Sequence, residues 1–315
     1  MSEKQIPEVS VVVPVCNSVR SLDELHFRLV KVFKGMHANY EIIMVDDGSS
    51  DGSYLKLKEL RQKDKNVKII KLIKNFGQQS ALICGLNHTS GKYIVTIDDD
   101  LQNPPEEIPK LLKELKQGYD LIIGIPKIKR HNIFRNFRSS LITWLINSIL
   151  GFTRDIKRSS FKVFTKEVCD NVVKIKSSFP YLPAYIAQVV SFDKITNVVI
   201  SHNERRYGNS NYSLKDLIKF LYNLIFNYSL IPLKIMSAIG LLLSTASIIY
   251  GIILIIRKVF FSVVFLHGWL SIIVFVAFLG GLILFTLGIV GEYLIRIITE
   301  LTGKPIYIVE EKIID

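Results

Sequence analysis

The sequence predicts an α/β fold: a mostly parallel sheet with helices on both faces, followed by interfacial helices and a two-helix transmembrane hairpin. Three observations predict it. Short apolar runs of strand length alternate with helical patterns as far as Ile125. Two stretches near the C-terminus, Ile235 to Ile256 and Gly268 to Gly291, carry no charge and exceed the roughly 20 residues that cross a bilayer core. An acidic triplet, Asp98-Asp99-Asp100, closes one of the apolar runs, at the kind of strand end where open α/β sheets bind ligands.

Taken in order, Ser10 to Val15 reads as a buried strand, and Ser21-Leu22-Asp23-Glu24 as a capping box opening a helix to about Phe33. Glu41 to Val45 is a second strand, running into Asp46-Asp47-Gly48-Ser49-Ser50-Asp51-Gly52. Val67 to Leu72 is a third, leading to Lys74-Asn75-Phe76-Gly77 and a helix through Ala81 to Asn87. The fourth carries the triplet. Side chains alternate along a strand, so Asp98 and Asp100 should project together while Asp99 points elsewhere. Gln102 continues the spacing and adds a third oxygen. Such hard donors suit Mg²⁺ or Mn²⁺. The competing reading is that the acids cap the helix opened by Pro104 to Glu107. Tyr119 to Ile125 is a fifth strand.

Neither GxGxxG after the first strand nor GxxxxGK[ST] occurs, so no glycine-rich loop holds phosphate. A chelated diphosphate fits the acidic strand ends instead, with Asp46 and Asp47 accepting hydrogen bonds from a nucleoside. Beyond Ile125 the chain turns basic. Lys127, Lys129, Arg130, Arg135 and Arg138 lie among apolar residues, as on an interfacial helix. Thr196 to Ser201 is strand-like and delivers Glu204-Arg205-Arg206-Tyr207-Gly208-Asn209-Ser210, a phosphate cradle of two guanidinium groups and a turn. Ser213 then caps an amphipathic helix to about Tyr228.

The formal charge of +12 over 315 residues points to an anionic partner, and the hairpin makes that partner a membrane, not nucleic acid. Cys16, Cys84 and Cys169 form no CxxC, which suits a reducing compartment without zinc. His88, His202 and His267 have no metal-ligand spacing. No signal peptide is expected at the polar start, and lysines and arginines flank the spans mainly on the domain side. The expected organisation is a cytoplasmic catalytic domain over 1–212, an interfacial helix over 213–230, the hairpin over 231–296 and a cytoplasmic tail over 297–315, at the inner membrane. A homo-oligomer is compatible with this pattern.

The stretches VVVPVCN, VDDGSSDGS, KNFGQQSALICGL and DDDLQNPPEEIP resemble successive signatures of glycosyltransferase family 2, in its polyprenyl-phosphate sugar transferase branch. The similarity continues through GYDLIIG, SSFKVF, ERRYGNSNYS, SLIPLK and GEYLIRI. It departs where Cys16-Asn17-Ser18 and Lys74 replace the usual Tyr-Asn-Glu and Arg. The resemblance implies a Rossmann-like sheet of GT-A type and an inverting, metal-dependent transfer from a nucleotide sugar, UDP-linked, to undecaprenyl or similar polyprenyl phosphate. It further implies Pro14, Asp46, Asp47, Lys74, Asn75, Gly77, Asp98 and Asp99 at the donor. Asp98, Asp100 and Gln102 are implied at the metal, Asp100 and Asp155 at the reacting centre, and Arg130, Arg135, Arg205, Arg206 and Ser210 at the acceptor phosphate. A processive polysaccharide synthase would carry Gln-x-x-Arg-Trp, whereas Trp144 follows Thr143 and Trp269 follows Gly268. A non-catalytic scaffold on this fold would dispense with Asp98 or Asp100, and both are intact.

Overall fold

The structure, a computed structural model, describes residues 6–127, 146–151, 156–157, 159–203, 214–261 and 268–314. It divides into two units, Met1–Asn211 with Lys304–Asp315, and Tyr212–Gly303.

The first unit is built on an eight-stranded sheet. β1 (Val9–Val15) pairs in parallel with β2 (Tyr40–Asp46) and β4 (Tyr93–Thr96), and β2 with β3 (Val67–Leu72). β5 (Leu121–Pro126) runs parallel to β7 (Ile195–Ile200), with β6 (Lys162–Thr165) inserted antiparallel between β4 and β5. β8 (Val309–Ile313) closes the other edge antiparallel to β3, giving the order β7-β5-β6-β4-β1-β2-β3-β8. All seven residues of β1 are buried, because helices cover both faces of a parallel sheet and no side chain on a central strand reaches water.

Helices α1 (Leu22–Met36), α2 (Ser53–Lys63) and α4 (Ile108–Leu115) share one hydrophobic core with the sheet. Helices α3 (Gln78–Leu86), α5 (Lys166–Lys174) and α6 (Leu182–Val189) share the other. On α1 the apolar period places Leu22, Leu25, Leu29 and Phe33 on one buried face. The expected capping box does not form. Ser21 makes no side-chain cap and donates its hydroxyl to the Ser18 carbonyl at 3.0 Å.

Two strands escape the hydropathy pattern. β6 is four residues long, too short for periodicity to show. β8 lies within the segment expected as a tail, and its Val-Glu-Glu-Lys-Ile sequence is polar. Glu310 meets Lys71 at 2.9 Å and Glu311 meets Lys58 at 3.2 Å. Such exposed pairs contribute little, so backbone pairing with β3 holds the strand, and its charges blunt the sheet edge.

A buried polar knot braces β1, β2 and β3. Glu41 accepts hydrogen bonds from Ser10 Oγ and from Ser90 N and Oγ, and pairs with Lys68 at 2.5 Å. Burial pushes its pKa up, but Lys68, Ser10 and Ser90 together outweigh that and hold it below the ordinary carboxylate value of 4.5. A depressed folded pKa stabilises above the unfolded value and is lost as pH falls through the folded one. Glu41→Ala strands the partners, so the full-length protein in detergent should lose roughly 3 to 5 kcal/mol at pH 7, with a smaller deficit in acid. A thermal midpoint unchanged at pH 7 would remove the knot from the stability account.

The second unit holds α7 (Leu214–Tyr228), α8 (Ile231–Phe261) and α9 (Trp269–Leu301). Within the latter two, Ile231–Tyr250 and Phe278–Leu301 have mean hydropathies of 1.7 and 2.0 and are long and apolar enough to cross a membrane. Their outward residues are large and exposed, Leu241, Leu242 and Leu284 among them. Arg296 of α9 packs between the rings of Tyr222 and Phe226 of α7, at 5.6 and 5.5 Å, and bonds Glu292 at 2.8 Å. This cation–π contact ties α7 to α9.

Candidate active site

The C-terminal ends of β1, β2, β3 and β4 open into a pocket of about 280 Å³. Pro14, Val15 and Cys16 come from β1 and its exit, Asp47 follows β2, Asn75, Gly77 and Gln78 follow β3, and Asp98, Asp99 and Asp100 follow β4. Parallel pairing puts these ends side by side, so residues far apart in sequence meet.

Hydrogen bonds between loops fix the rim. Asn17 donates its N–H to Ser49 Oγ at 3.0 Å, and its side-chain oxygen accepts from Ser50 N at 2.8 Å. Ser18 N–H donates to Ser53 Oγ at 2.9 Å, and Val19 N–H to Asp51 Oδ2 at 3.0 Å. Gly48 has φ +67°, and a Cβ there would lie 2.6 Å from Asn75 N. Only glycine lets the β2 exit pack this closely on the β3 exit.

The acidic triplet is not strand-borne. β4 ends at Thr96, and the three acids lie on the turn that follows, where Leu101 takes a left-handed φ of 60°. Strand alternation therefore does not govern them, and Asp99 lines the same pocket as its neighbours. They do not cap the next helix either: Pro104 and Glu107 occupy the cap positions without side-chain bonds. Asp98 is clasped by Gln78 Nε2 on Oδ1 at 2.6 Å and by Ser160 Oγ on Oδ2. Asp99 Oδ2 accepts the Cys16 N–H at 3.2 Å. Burial raises the Asp98 pKa, with the Asp100 charge adding to it, and burial pushes Asp99 up to about 6.

Asp46 and Asp47 part company. Asp47 accepts the N–H groups of Phe76 and Gly77 at 2.7 and 2.9 Å and so pins the loop before α3. Asp46 is fully buried outside the pocket lining, and neither of its oxygens completes a hydrogen bond, although Ser49 lies near. Burial raises both pKa values. Lys74 is exposed, its ammonium 5.3 Å from the Phe76 ring centre. Gln102 is outside the lining too, and its backbone N–H donates to Asp100 Oδ1 at 3.1 Å. The pocket thus unites Pro14, Asp47, Asn75, Gly77, Asp98, Asp99 and Asp100 from the sequence reading, and leaves Asp46, Lys74 and Gln102 beside it. Arg130, Arg135, Asp155, Arg205, Arg206, Ser210 and Ser213 lie outside the described residues. Gln78, Ser160 and Cys16 were missed as site residues. Gln78 and Ser160 sit in motifs quoted above, but Gln78 reaches Asp98 through the parallel order β3-β2-β1-β4 and Ser160 through the β4–β6 pairing, neither of which a local pattern encodes.

Among the described residues no three His, Cys, Asp or Glu side chains close on a common point. Magnesium-type sites do not need this, since one or two carboxylates and substrate phosphates suffice. Asp98 and Asp100 fit such a group: they are hard oxygen donors on one pocket, and the Asp100 charge already disfavours ionisation of Asp98.

A family model described as "Glycosyl transferase family 2" matches residues 10–174, over which the pocket is built. The chain belongs to glycosyltransferase family 2. It is similar over 96% of its length, at 33% identity, to the "Uncharacterized glycosyltransferase YkcC" of Bacillus subtilis (strain 168), covering 94% of that protein. It is 30% identical over 98% of its length to the undecaprenyl-phosphate 4-deoxy-4-formamido-L-arabinose transferase of Proteus mirabilis (strain HI4320), again covering 94%. Among solved structures it resembles glucosyl-3-phosphoglycerate synthase from Mycobacterium tuberculosis in complex with Mn²⁺, UDP-glucose and phosphoglyceric acid, with a TM-score of 0.52 at 17% identity. That match covers 70% of this chain and 78% of that one. It establishes the shared GT-A-like fold. This glycosyltransferase carries the family's acidic loops together in one pocket, with a pair of apolar helices in a second unit.

Proposed function

We propose that this glycosyltransferase moves a sugar from a nucleotide sugar, UDP-linked, to undecaprenyl phosphate or a similar polyprenyl phosphate, with inversion at the anomeric carbon. The observation that carries the reading is a near-full-length match to undecaprenyl-phosphate sugar transferases in a chain that keeps Asp98, Asp99 and Asp100 on one pocket. Helices α8 and α9 anchor it in the inner membrane, the catalytic unit on the cytoplasmic side. Since residues 304–315 return to the first unit, an even number of spans suits the topology.

In this mechanism a phosphate oxygen of the acceptor attacks the anomeric carbon, and the bond to the diphosphate breaks with its electron pair leaving on the nucleotide. A phosphate monoester is largely ionised at pH 7, so no strong base is needed, and Asp155 orients the acceptor. Asp98 and Asp100 would hold Mg²⁺ or Mn²⁺, which when bound supplies neutralisation of the leaving diphosphate. Asp47 shapes the donor side through Phe76 and Gly77, and buried Asp46 backs it. A screen of radiolabelled nucleotide sugars against membranes bearing the protein tests the reading. Label should enter a phosphate-linked lipid, and label in a long polymer would instead favour a processive synthase.

The acceptor assignment has its own test. Arg205 and Arg206 follow the edge strand β7 and precede α7 in the chain, on the segment that leads to the apolar helices. Arg205→Gln and Arg206→Gln each remove a charge-assisted contact of roughly 1.5 to 3 kcal/mol, or about 10- to 150-fold in acceptor KM. Donor KM should hold steady. The opposite pattern would assign the pair to the donor diphosphate, leaving the acceptor to Arg130, Arg135 and Ser210.

A further inference from the structure

The segment Lys304–Asp315 follows both apolar helices in the chain and belongs to the first unit. Its strand β8 blunts the sheet edge with charge, but the two residues just before β8 do something else. The β3–β8 ladder shifts register between Lys71 and Leu72. Pairing then runs one step past β3, where Ile73 donates its N–H to the Ile308 carbonyl at 3.0 Å. Ile308, fixed there, delivers its neighbour Tyr307 to the end of α3, where the Tyr307 hydroxyl accepts from Asn87 Nδ2 at 3.3 Å.

Ile73 and Asn87 bracket one stretch of the candidate active site. Ile73 stands immediately before Lys74-Asn75-Phe76-Gly77, and Asn87 occupies the C-cap of α3. Between them lie Asn75, Gly77 and Gln78, all on the pocket. Asp47 holds the middle of the stretch through Phe76 and Gly77. The loop and its helix are thus fastened at the start, the centre and the end, and adjacent residues of the C-terminal segment supply the first and the last tie. Packing agrees, since Phe76, Ile306 and Tyr307 lie against the same buried cluster as Ala81, Leu82 and Leu86 of α3. Binding loops without such ties open locally at little cost, and a site that must first be ordered binds more weakly. We propose that Tyr307 is a positioning residue for the donor, holding the end of α3 so that Asn75, Gly77 and Gln78 meet the nucleotide in one arrangement. This role rests on the nucleotide-sugar reading above, and it makes donor affinity depend on a segment that comes after the apolar helices in the chain.

Calorimetry with UDP and Mn²⁺ on the full-length protein in detergent tests the role. Tyr307→Phe keeps the ring and removes the hydrogen bond to Asn87, and Asn87→Ala removes the same bond from the other side. Each should weaken UDP binding about 2- to 10-fold, and the double variant should lose no more than Asn87→Ala alone. The readout that matters is the Kd beside the stoichiometry. A residue that only supports the fold would lower the fraction of protein able to bind and leave the Kd of the remainder in place. An unchanged Kd in Tyr307→Phe and Asn87→Ala, or losses that add in the double variant, overturns the assignment. Failure of the wild-type protein to bind UDP overturns the donor reading itself, and this role falls with it.

Discussion

Asp100→Asn should lower sugar transfer by roughly 10²- to 10³-fold or more while leaving the thermal midpoint in place. The asparagine keeps the side-chain oxygen that accepts the Gln102 N–H at 3.1 Å, so the turn survives. What disappears is one negative charge on a pocket whose proposed task is to hold a divalent cation against a diphosphate. Chelator should reproduce the loss in wild-type protein, and added Mg²⁺ or Mn²⁺ should restore wild type more fully than the variant. Full transfer by Asp100→Asn in excess chelator would refute the metal role. A collapsed thermal midpoint would move the residue to a structural role.

The second large effect belongs to Asp47→Ala. Its carboxylate accepts two backbone N–H groups, from Phe76 and Gly77, and each such charge-assisted bond contributes roughly 1.5 to 3 kcal/mol. Without them the loop that carries Asn75 and Gly77 into the pocket loses its anchor. Affinity for the nucleotide should fall about 10²- to 10⁴-fold, with kcat reduced less. Asp46→Ala should do less to the nucleotide, because that carboxylate lies outside the pocket lining. Calorimetry with UDP separates the two. Equal losses for both variants would mean that the buried Asp46 is also drawn on by the donor.

Several parts of this organisation were legible in the chain because they depend on local physics. β3 matches its hydrophobic run from Val67 to Leu72, β1 starts one residue before its run, and β2 extends its run by one residue at each end. The two apolar helices follow from runs without charge. Acidic and amide residues at the strand ends marked the pocket, since parallel strands bring those ends together. Nothing local announced β8, whose charged sequence becomes a strand only because β3 offers it an unpaired edge.

What the sequence determined by itself, then, is the alternation of strands and helices as far as β5, the pair of apolar helices and the residue types at the pocket, all consequences of period, hydropathy and turn chemistry. Only the tertiary structure decided which acids do which task. It took the triplet off the strand and joined Asp99 to Asp98 and Asp100. It set Asp47 to hold a loop while burying Asp46, and it brought Ser160 to Asp98 from 62 positions away in the chain. The physical reason is that hydropathy is read along the chain, whereas a carboxylate's partners and burial are fixed by the strands packed beside it.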